Sequence, residues 1–325
     1  MAFRMVFLPP QSDRTREMAA QVASAVPEVS VVVAETEADA QRAIAGAEAA
    51  FGTISPAVLR LADRLAWLQA PAIAPPAGYY YPELSAHPVV VTNQRGIFND
   101  RIPAHIMAFV LAFARGLHVY VRQQLRGEWR RLGAESDGVG VVHLPESTAL
   151  IVGVGEIGLE TARLCAAHGM RVLGVDARRE GQPDWLAELH RPEALEGLLP
   201  RADFVILTIP HTPQTEGLFD ASKFRLMKRS AYFINIGRGM TTRLDDLVAA
   251  LRAGEIAGAA LDVFEQEPLP ADHPLWTMPN VLITPHTAGH GPYLDERRFE
   301  VLLDNARRFL TGQPLRNVVD KAGWF

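Results

Sequence analysis

The 325-residue sequence has a single cysteine, and it lacks an apolar run long enough to cross a membrane. Because Cys165 has no partner in the chain, an intrachain disulfide is excluded, and its Ala-rich helical context predicts a small packed residue rather than a nucleophile. A spanning helix needs about 18 consecutive apolar residues, and residues 1–10 lack the cleavage site of a signal peptide. We therefore expect a cytoplasmic chain with no membrane partner.

The sequence also lacks an excess of positive charge, an internal repeat, a low-complexity tract and a Ser/Gly linker. Lysine and arginine number 32 against 37 acidic residues, which gives a net charge of -5 and no general attraction to nucleic acid. The local basic clusters at residues 122–131 and 225–229 are explained by solvated helix faces. The length exceeds that of a comfortable single core, so we expect two domains joined without a flexible tether.

The first hundred residues alternate between short apolar runs and helical spacing, which predicts a small βα domain with a parallel sheet. Its first elements are a strand at residues 3–8, a helix at 15–26 and a strand at 29–34. The segment 71–82 interrupts this alternation with four prolines and three consecutive tyrosines, Tyr79–Tyr81. Such a segment forms either the wall of a ligand pocket or a rigid surface loop.

Residues 102–117 are apolar on nearly every face and predict one buried helix, and residues 133–140 predict a protruding loop.

From residue 149 onward the alternation resumes and predicts a doubly wound parallel sheet of the Rossmann type. Six strands are expected in this part of the chain, at residues 149–153, 171–176, 204–209, 232–236, 258–263 and 281–284. A last helix at residues 293–310 ends before Gly312, a residue type favoured just beyond helix ends.

The first strand of this sheet leads into a G-x-G-x-x-G motif, Gly153–Gly158, with a helix after it. In that context the motif predicts a dinucleotide site: Gly153 permits the turn, Gly155 admits the pyrophosphate and Gly158 lets helix and strand pack closely. Asp176 ends the next strand, where a carboxylate bonds the adenosine ribose and repels a 2′-phosphate. We therefore expect NAD, with NADP less favoured, although Arg178 and Arg179 follow and could attract that phosphate.

Three later strand ends carry polar groups that we expect at the same edge of the sheet. Arg238 can hold a carboxylate bidentately, a carboxylate from residues 262–267 can stabilise a charged imidazole, and a histidine can exchange a proton. The pattern alone leaves the histidine open. His211 and His286 both follow a strand and a proline, and His290 is close in sequence.

Several segments together resemble the D-isomer-specific 2-hydroxyacid dehydrogenase family, over nearly the whole chain. The most specific are GVGEIG at 153–158, TIPHTPQTEGLF at 208–219, INIGRG at 234–239, LDVFEQEPLP at 261–270 and ITPHTAG at 283–289. The resemblance implies that Arg238 binds the carboxylate and carbonyl of a 2-oxoacid, that Glu267 pairs with the imidazole, and that His286 is the acid/base. It also implies that Asp262 contacts the nicotinamide amide, while His211 borders the cofactor.

The resemblance further implies an NAD-binding Rossmann domain, residues 101–289, inserted into a flavodoxin-like substrate domain, residues 1–100 plus 290–325. It places residues 102–117 at a homodimer interface. The expected activity is hydride transfer between NAD(H) and C2 of a D-2-hydroxyacid or 2-oxoacid, of the glyoxylate or hydroxypyruvate type. The alternative is an NAD-responsive, corepressor-like binding protein with little turnover.

The predicted site has a cofactor set and a substrate set, and no metal. The cofactor-binding residues are Gly153, Gly155, Glu156, Ile157, Gly158, Asp176, Pro210, Thr215, Ile236, Gly237, Asp262, Ala288 and Gly289. The substrate-binding residues are Ile73, Ala74, Arg238 and His286. Two departures from the family pattern are visible: residues 70–76 read APAIAPP where small Ser/Gly residues are usual, and Ala104 replaces an acidic residue before His105.

Overall fold

The structure is a computed structural model that describes residues 2–73, 78–132 and 141–323. Ala74 and the predicted loop at 133–140 lie outside the described residues. The described chain divides into two compact units. One comprises residues up to 97 and from 292 onward, and the other comprises residues 98–291.

The N-terminal part of the first unit alternates strands with helices. Its elements are β1 (Phe3–Phe7), α1 (Asp13–Ala25), β2 (Val29–Val33), α2 (Glu37–Ile44), β3 (Ala49–Phe51), α3 (Pro56–Leu59), β4 (Trp67–Gln69), α4 (Pro82–Ala86) and β5 (Val90–Thr92). The five strands are parallel in the order β2-β1-β3-β4-β5. This is the flavodoxin-like order, so the predicted fold of this unit is confirmed.

Side-chain caps explain where the helices of this sheet begin. The Ser12 hydroxyl accepts the backbone N–H of Thr15, and the Thr15 side chain accepts the backbone N–H of Ser12, so α1 begins before the first apolar residue of its pattern. Thr36 and Asp39 form the same capping box at the start of α2. Each box satisfies two backbone donors that a helix terminus otherwise leaves unpaired.

The second unit contains a seven-stranded parallel sheet with helices on both faces. Its elements are α5 (Arg101–Ala114), α6 (Leu117–Leu125), β6 (Thr148–Val152), α7 (Glu156–Ala167), β7 (Arg171–Val175), β8 (Glu188–His190), α8 (Leu195–Leu198), β9 (Phe204–Leu207), α9 (Ala221–Leu226), β10 (Tyr232–Asn235), α10 (Leu244–Ala253), β11 (Gly258–Leu261) and β12 (Val281–Ile283). The strand order is β12-β11-β10-β9-β6-β7-β8. The predicted doubly wound Rossmann sheet is therefore confirmed, with β8 as a seventh strand that the pattern did not predict.

The prediction of one helix over residues 102–117 is wrong at its C-terminal end. Helix α5 ends at Ala114, and Gly116 adopts the left-handed conformation, with φ of 66°, before α6 begins at Leu117. The two helices are bent by 72°. Among the described residues, no single helix is long and apolar enough to span a membrane; α5 and α6 meet that criterion only as a bent pair, by length and composition.

The last helix, α11 (Leu294–Thr311), belongs to the first unit and covers its sheet. The Phe309 ring lies edge-on to Phe3, with centroids 4.9 Å apart, and 5.6 Å from Trp67. Buried Asn305 donates from its amide to Gln69 Oε1 and accepts the backbone N–H of Arg316. The helix ends before Gly312, whose φ of 68° is the left-handed value that glycine adopts without strain.

Candidate active site

The glycine motif forms the turn between β6 and α7, where the strand order reverses direction between β6 and β9. A Cβ on Gly158 would lie 1.9 Å from the Gly153 carbonyl oxygen, and Gly153 has a φ of 98°. Neither position accepts a side chain. A Cβ on Gly155 would meet nothing within 4 Å among the described residues, so the start of α7 offers open space and unpaired amides. These are the features that a pyrophosphate requires, and Glu156 and Ile157 form the first turn of α7.

Asp176 follows β7 directly and organises the turn after it. Its Oδ1 accepts the backbone N–H groups of Arg178 and Arg179, each at 2.8 Å. The Arg179 side chain turns back across the glycine motif, where its Nε donates to the Val154 carbonyl at 2.5 Å. Among the described contacts, Asp176 uses one carboxylate oxygen for the backbone, which leaves Oδ2 for an external donor such as a ribose hydroxyl.

The other predicted cofactor residues follow β9, β10 and β12, at the same carboxyl edge of the sheet. Thr215 Oγ donates to the Pro210 carbonyl at 2.7 Å, which folds that loop onto itself. Ile236 is buried, and a Cβ on Gly237 would lie 2.5 Å from the Ile209 carbonyl oxygen. Ala288 is buried, and a Cβ on Gly289 would lie 2.8 Å from the Phe98 ring.

Glu267 and His286 form a direct pair. His286 Nδ1 and Glu267 Oε2 are 2.7 Å apart, and the backbone N–H of Phe264 donates to the other carboxylate oxygen at 2.9 Å. Half of the His286 side-chain surface is exposed. Because the carboxylate accepts from Nδ1–H, the exposed ring presents Nε2 as the nitrogen free to exchange a proton.

Arg238 follows β10, and its guanidinium is largely withdrawn from solvent. Its Nη1 donates to the Gly237 carbonyl at 2.6 Å. Burial lowers the pKa of the Arg238 guanidinium, and the nearby Glu267 carboxylate partly offsets that shift. Burial also strengthens the attraction of this fixed cation for an anion, because fewer waters screen it. The structure thus brings Arg238, Glu267 and His286 together within one unit.

The two histidines that compete with His286 in the sequence have different surroundings. His211 Nε2 lies 3.4 Å from Glu216 Oε2, an exposed carboxylate in the same loop. The described contact of His290 is through its backbone, whose N–H donates to the Thr287 carbonyl. Only His286 pairs with a carboxylate that also lies near Arg238.

Asp262 is 1% exposed and anchors the segment that carries His286. Its Oδ1 accepts the Thr284 hydroxyl at 2.6 Å and the Thr287 N–H at 2.8 Å, and its Oδ2 accepts the Ala288 N–H at 3.0 Å. The Thr284 hydroxyl in turn lies 3.0 Å from His105 Nε2. Thr284 and His105 were not among the predicted site residues; their one signal was a polar side chain in an otherwise apolar pattern. Whether Asp262 also contacts the nicotinamide amide stays a prediction.

The predicted substrate residues Ile73 and Ala74 belong to the segment after β4 in the first unit. The Ile73 carbonyl accepts the Asn93 side-chain N–H at 2.8 Å. Within the same unit, Tyr79 donates to the Gly52 carbonyl and Tyr81 to the Ile54 carbonyl. Two hydroxyls of the tyrosine cluster are therefore used to fasten their own segment to a neighbouring turn.

Comparison with known proteins assigns this arrangement to a family. The sequence profile of the "D-isomer specific 2-hydroxyacid dehydrogenase, NAD binding domain" matches residues 107–288, more than half of the chain. The chain belongs to the D-isomer-specific 2-hydroxyacid dehydrogenase family. It is an oxidoreductase that transfers hydride with a nicotinamide dinucleotide, as the resemblance of its motifs implied.

Relatives of this dehydrogenase match over most of its length. A glyoxylate/hydroxypyruvate reductase B of Salmonella typhi is 36% identical over 294 residues, which is 88% of each chain. The Citrobacter koseri protein of the same name is 38% identical over 252 residues, 73% of this chain and 72% of its own. A family member from Xanthobacter autotrophicus, crystallised with NADPH and MES, matches with a TM-score of 0.85 and 27% identity over the full length of both chains. None of these findings favours the corepressor-like alternative.

Proposed function

We propose that this dehydrogenase reduces a small 2-oxoacid with NADH, using His286 as the proton donor and Arg238 as the carboxylate-binding residue. The observation that carries the proposal is the 2.7 Å pair between His286 Nδ1 and Glu267 Oε2 beside the half-buried Arg238 guanidinium. All three residues follow carboxyl ends of strands in the sheet whose first turn is the glycine motif. An acid, a carboxylate that holds it and an anion-binding cation are the groups that reduction of a 2-oxoacid requires.

Each residue has a separate task in this mechanism. Arg238 holds the substrate carboxylate and stabilises negative charge as it develops on the C2 oxygen. His286, protonated on both nitrogens, gives the Nε2 proton to that oxygen. Glu267 accepts from Nδ1–H, which orients the ring and stabilises the imidazolium before transfer. The bound nicotinamide dinucleotide supplies the hydride.

A small substrate is supported by the names of the relatives. The matched enzymes of Salmonella typhi and Citrobacter koseri are named for glyoxylate and hydroxypyruvate. Ile73 and Ala74 remain the proposed backbone donors to the substrate carboxylate.

A preference for NAD is supported by the geometry of Asp176. The backbone bonds to Oδ1 hold the carboxylate at the end of β7, where its charge repels a ribose 2′-phosphate. The related Xanthobacter structure holds NADPH, so this fold is compatible with a ribose 2′-phosphate. Arg179, Arg191 and Glu180 line a small open cavity nearby, so charges other than that of Asp176 also act on a ribose 2′-phosphate.

The Asp176→Asn variant tests this preference. Asparagine keeps an oxygen for the two backbone amides but removes the charge, so the ratio of kcat/KM with NADH to that with NADPH is expected to fall by about 10-fold to 100-fold. Asp184→Asn, an exposed position in the same connection, is the matched control. An unchanged ratio in Asp176→Asn would remove Asp176 from cofactor selection.

A homodimer is supported by an exposed apolar face on and after α6. Helix α5 buries most of its apolar side chains in the second unit. In contrast, Leu125 at the end of α6 and Trp129 after it are 82% and 95% exposed. Leu117 and Val121 add about half of their surfaces to the same face. A patch of large apolar side chains of this kind is typical of a protein interface. We therefore propose α6, rather than α5 alone, as the contact between two copies.

The Val121→Asp, Leu125→Asp double variant is expected to convert the dimer to a monomer, because each subunit would place two carboxylates in the contact, where they would be desolvated. Sedimentation velocity or light scattering across a dilution series measures this change. Leu61→Asp, a comparably exposed position in the first unit, serves as control and is expected to leave the mass unchanged. A wild-type chain that is monomeric at every concentration would contradict the proposed interface.

A further inference from the structure

The backbone at His286 is unusual for a residue with a side chain. Its φ of 52° lies in the left-handed region, which non-glycine residues enter only where the surroundings hold them there. The peptide N–H of His286 donates to the Asp262 carbonyl at 2.9 Å. The next two N–H groups, of Thr287 and Ala288, donate to the two oxygens of the Asp262 carboxylate. Asp262 therefore accepts a hydrogen bond from each N–H group of the His286 turn, which we define as residues 286–288, and the His286 N–H also donates to the Thr284 carbonyl at 3.1 Å.

The Asp262 carboxylate is itself held by a chain of side-chain hydrogen bonds. The Thr284 hydroxyl lies 2.6 Å from Asp262 Oδ1, and its single hydrogen must be donated there because a carboxylate only accepts. The 3.0 Å contact between Thr284 Oγ and His105 Nε2 must then run from Nε2–H to the hydroxyl oxygen. Each hydrogen bond in this series is therefore donated in the same direction, from His105 to Thr284 and from Thr284 to Asp262.

The His105 ring is fixed from a second side. It lies edge-on to Phe109, with ring centroids 4.7 Å apart, and burial lowers the pKa of the His105 imidazole despite the opposing charge of Asp262. A neutral ring with its hydrogen on Nε2 satisfies the contact to Thr284 without placing a second charge in the buried site. His105, on α5, therefore supplies an oriented N–H donor at the start of this series of hydrogen bonds.

We propose that His105 and Thr284 are positioning residues for the proton transfer: they hold Asp262, and Asp262 holds the left-handed His286 turn against Glu267. This inference rests on the proposed function, since it concerns how the acid of that reaction is placed. It assigns a role to two residues that do not touch the reacting atoms. A loosened turn moves the imidazole relative to both Glu267 and the substrate oxygen, and displacements of about 1 Å cost up to about 100-fold in rate.

The test compares pairs of variants that differ in one hydrogen-bonding group. Thr284→Val removes the hydroxyl at constant shape, whereas Thr284→Ser retains it; His105→Leu removes the donor, whereas His105→Gln retains an N–H. Thr161→Val is the control, because this buried threonine bonds only the Ile157 carbonyl of its own helix among the described contacts. The readouts are kcat, the pH dependence of kcat, the melting temperature, and the Nδ1–H resonance of the ¹⁵N-labelled His286 ring, assigned by its absence in His286→Asn.

We expect kcat to fall about 10-fold or more in Thr284→Val and His105→Leu, and to return to within about threefold in Thr284→Ser and His105→Gln. The Nδ1–H resonance of His286 is expected to lose its hydrogen-bonded downfield shift in the first two variants, because the ring loses alignment with the Glu267 carboxylate. The same loss of kcat with an unchanged Nδ1–H resonance of His286, and without recovery in the conservative variants, would show a structural role only and overturn the proposal. Wild-type kcat in Thr284→Val and His105→Leu would overturn it equally.

The two proposals fail in distinguishable ways. A wild-type enzyme that reduces no 2-oxoacid contradicts the proposed function, and the Nδ1–H resonance of His286 then decides the positioning role by itself. If the wild-type enzyme turns over a 2-oxoacid, and Thr284→Val and His105→Leu keep the wild-type kcat, only the positioning role is contradicted. If Thr284→Val does not fold, the comparison of His105→Leu with His105→Gln carries the same test.

Discussion

Replacing His286 with asparagine is expected to lower kcat for 2-oxoacid reduction by about 100-fold or more while NADH binding is retained. Asparagine preserves a polar side chain of similar reach, but it cannot deliver a proton to the C2 oxygen. The bonds that hold the backbone of the turn come from Asp262 and do not involve the imidazole, so the turn itself is expected to survive. Steady-state kinetics and NADH fluorescence titration measure the two effects separately.

A control for this variant is available in the same unit. His143 also lies near a glutamate, with 3.5 Å between its Nδ1 and Glu146 Oε1, but both side chains are largely exposed. His143→Asn is expected to leave turnover unchanged. Turnover within about threefold of wild type in His286→Asn would reject His286 as the acid, since general acid catalysis contributes about 100-fold at least.

The Arg238→Lys variant is expected to raise KM for the 2-oxoacid and lower kcat, with a combined loss of about 100-fold in kcat/KM. Lysine keeps the charge but cannot place two parallel N–H donors on a carboxylate. Because the guanidinium is withdrawn from solvent, the shorter ammonium has less water to replace the lost bonds. The loss in kcat distinguishes stabilisation of charge on the C2 oxygen from uniform binding of the carboxylate.

Arg252→Lys is the matched control for that substitution. Arg252 lies exposed on α10 in the same unit, where either cation is hydrated. We expect its kinetics to equal those of the wild type. If Arg238→Lys raises KM with kcat unchanged, Arg238 binds the carboxylate but takes no part in the reduction itself.

Much of the fold follows from local patterns. Alternating apolar runs and helical spacing predict most strands of both sheets, and glycine is required at 158 because a Cβ there would lie 1.9 Å from the Gly153 carbonyl oxygen. Strand β8 was not predicted, because its three residues, Glu188 to His190, contain only one apolar side chain. The bend at Gly116 was missed because apolar residues continue on both sides of it and give the appearance of one helix.

The candidate site, like the fold, has features that local sequence patterns predict and features that they do not. Strand ends in a parallel sheet meet at one edge, so a cation, an acid and a histidine could be predicted there from spacing alone. The choice among three histidines needed the resemblance to a family, and in space it depends on the contact between His286 and Glu267, 19 residues apart. The contact between His105 and Thr284 joins residues 179 apart, and no local pattern encodes such a distance.

The most direct test of the proposed function is the fate of the hydride. Wild-type enzyme is incubated with glyoxylate or hydroxypyruvate and NADH that carries deuterium at the transferred position, and the product is analysed by mass spectrometry and NMR. We expect sustained turnover and one deuterium at C2 of the 2-hydroxyacid, with a higher kcat/KM for NADH than for NADPH. Tight NADH binding without deuterated product across a panel of 2-oxoacids would contradict the proposed reaction.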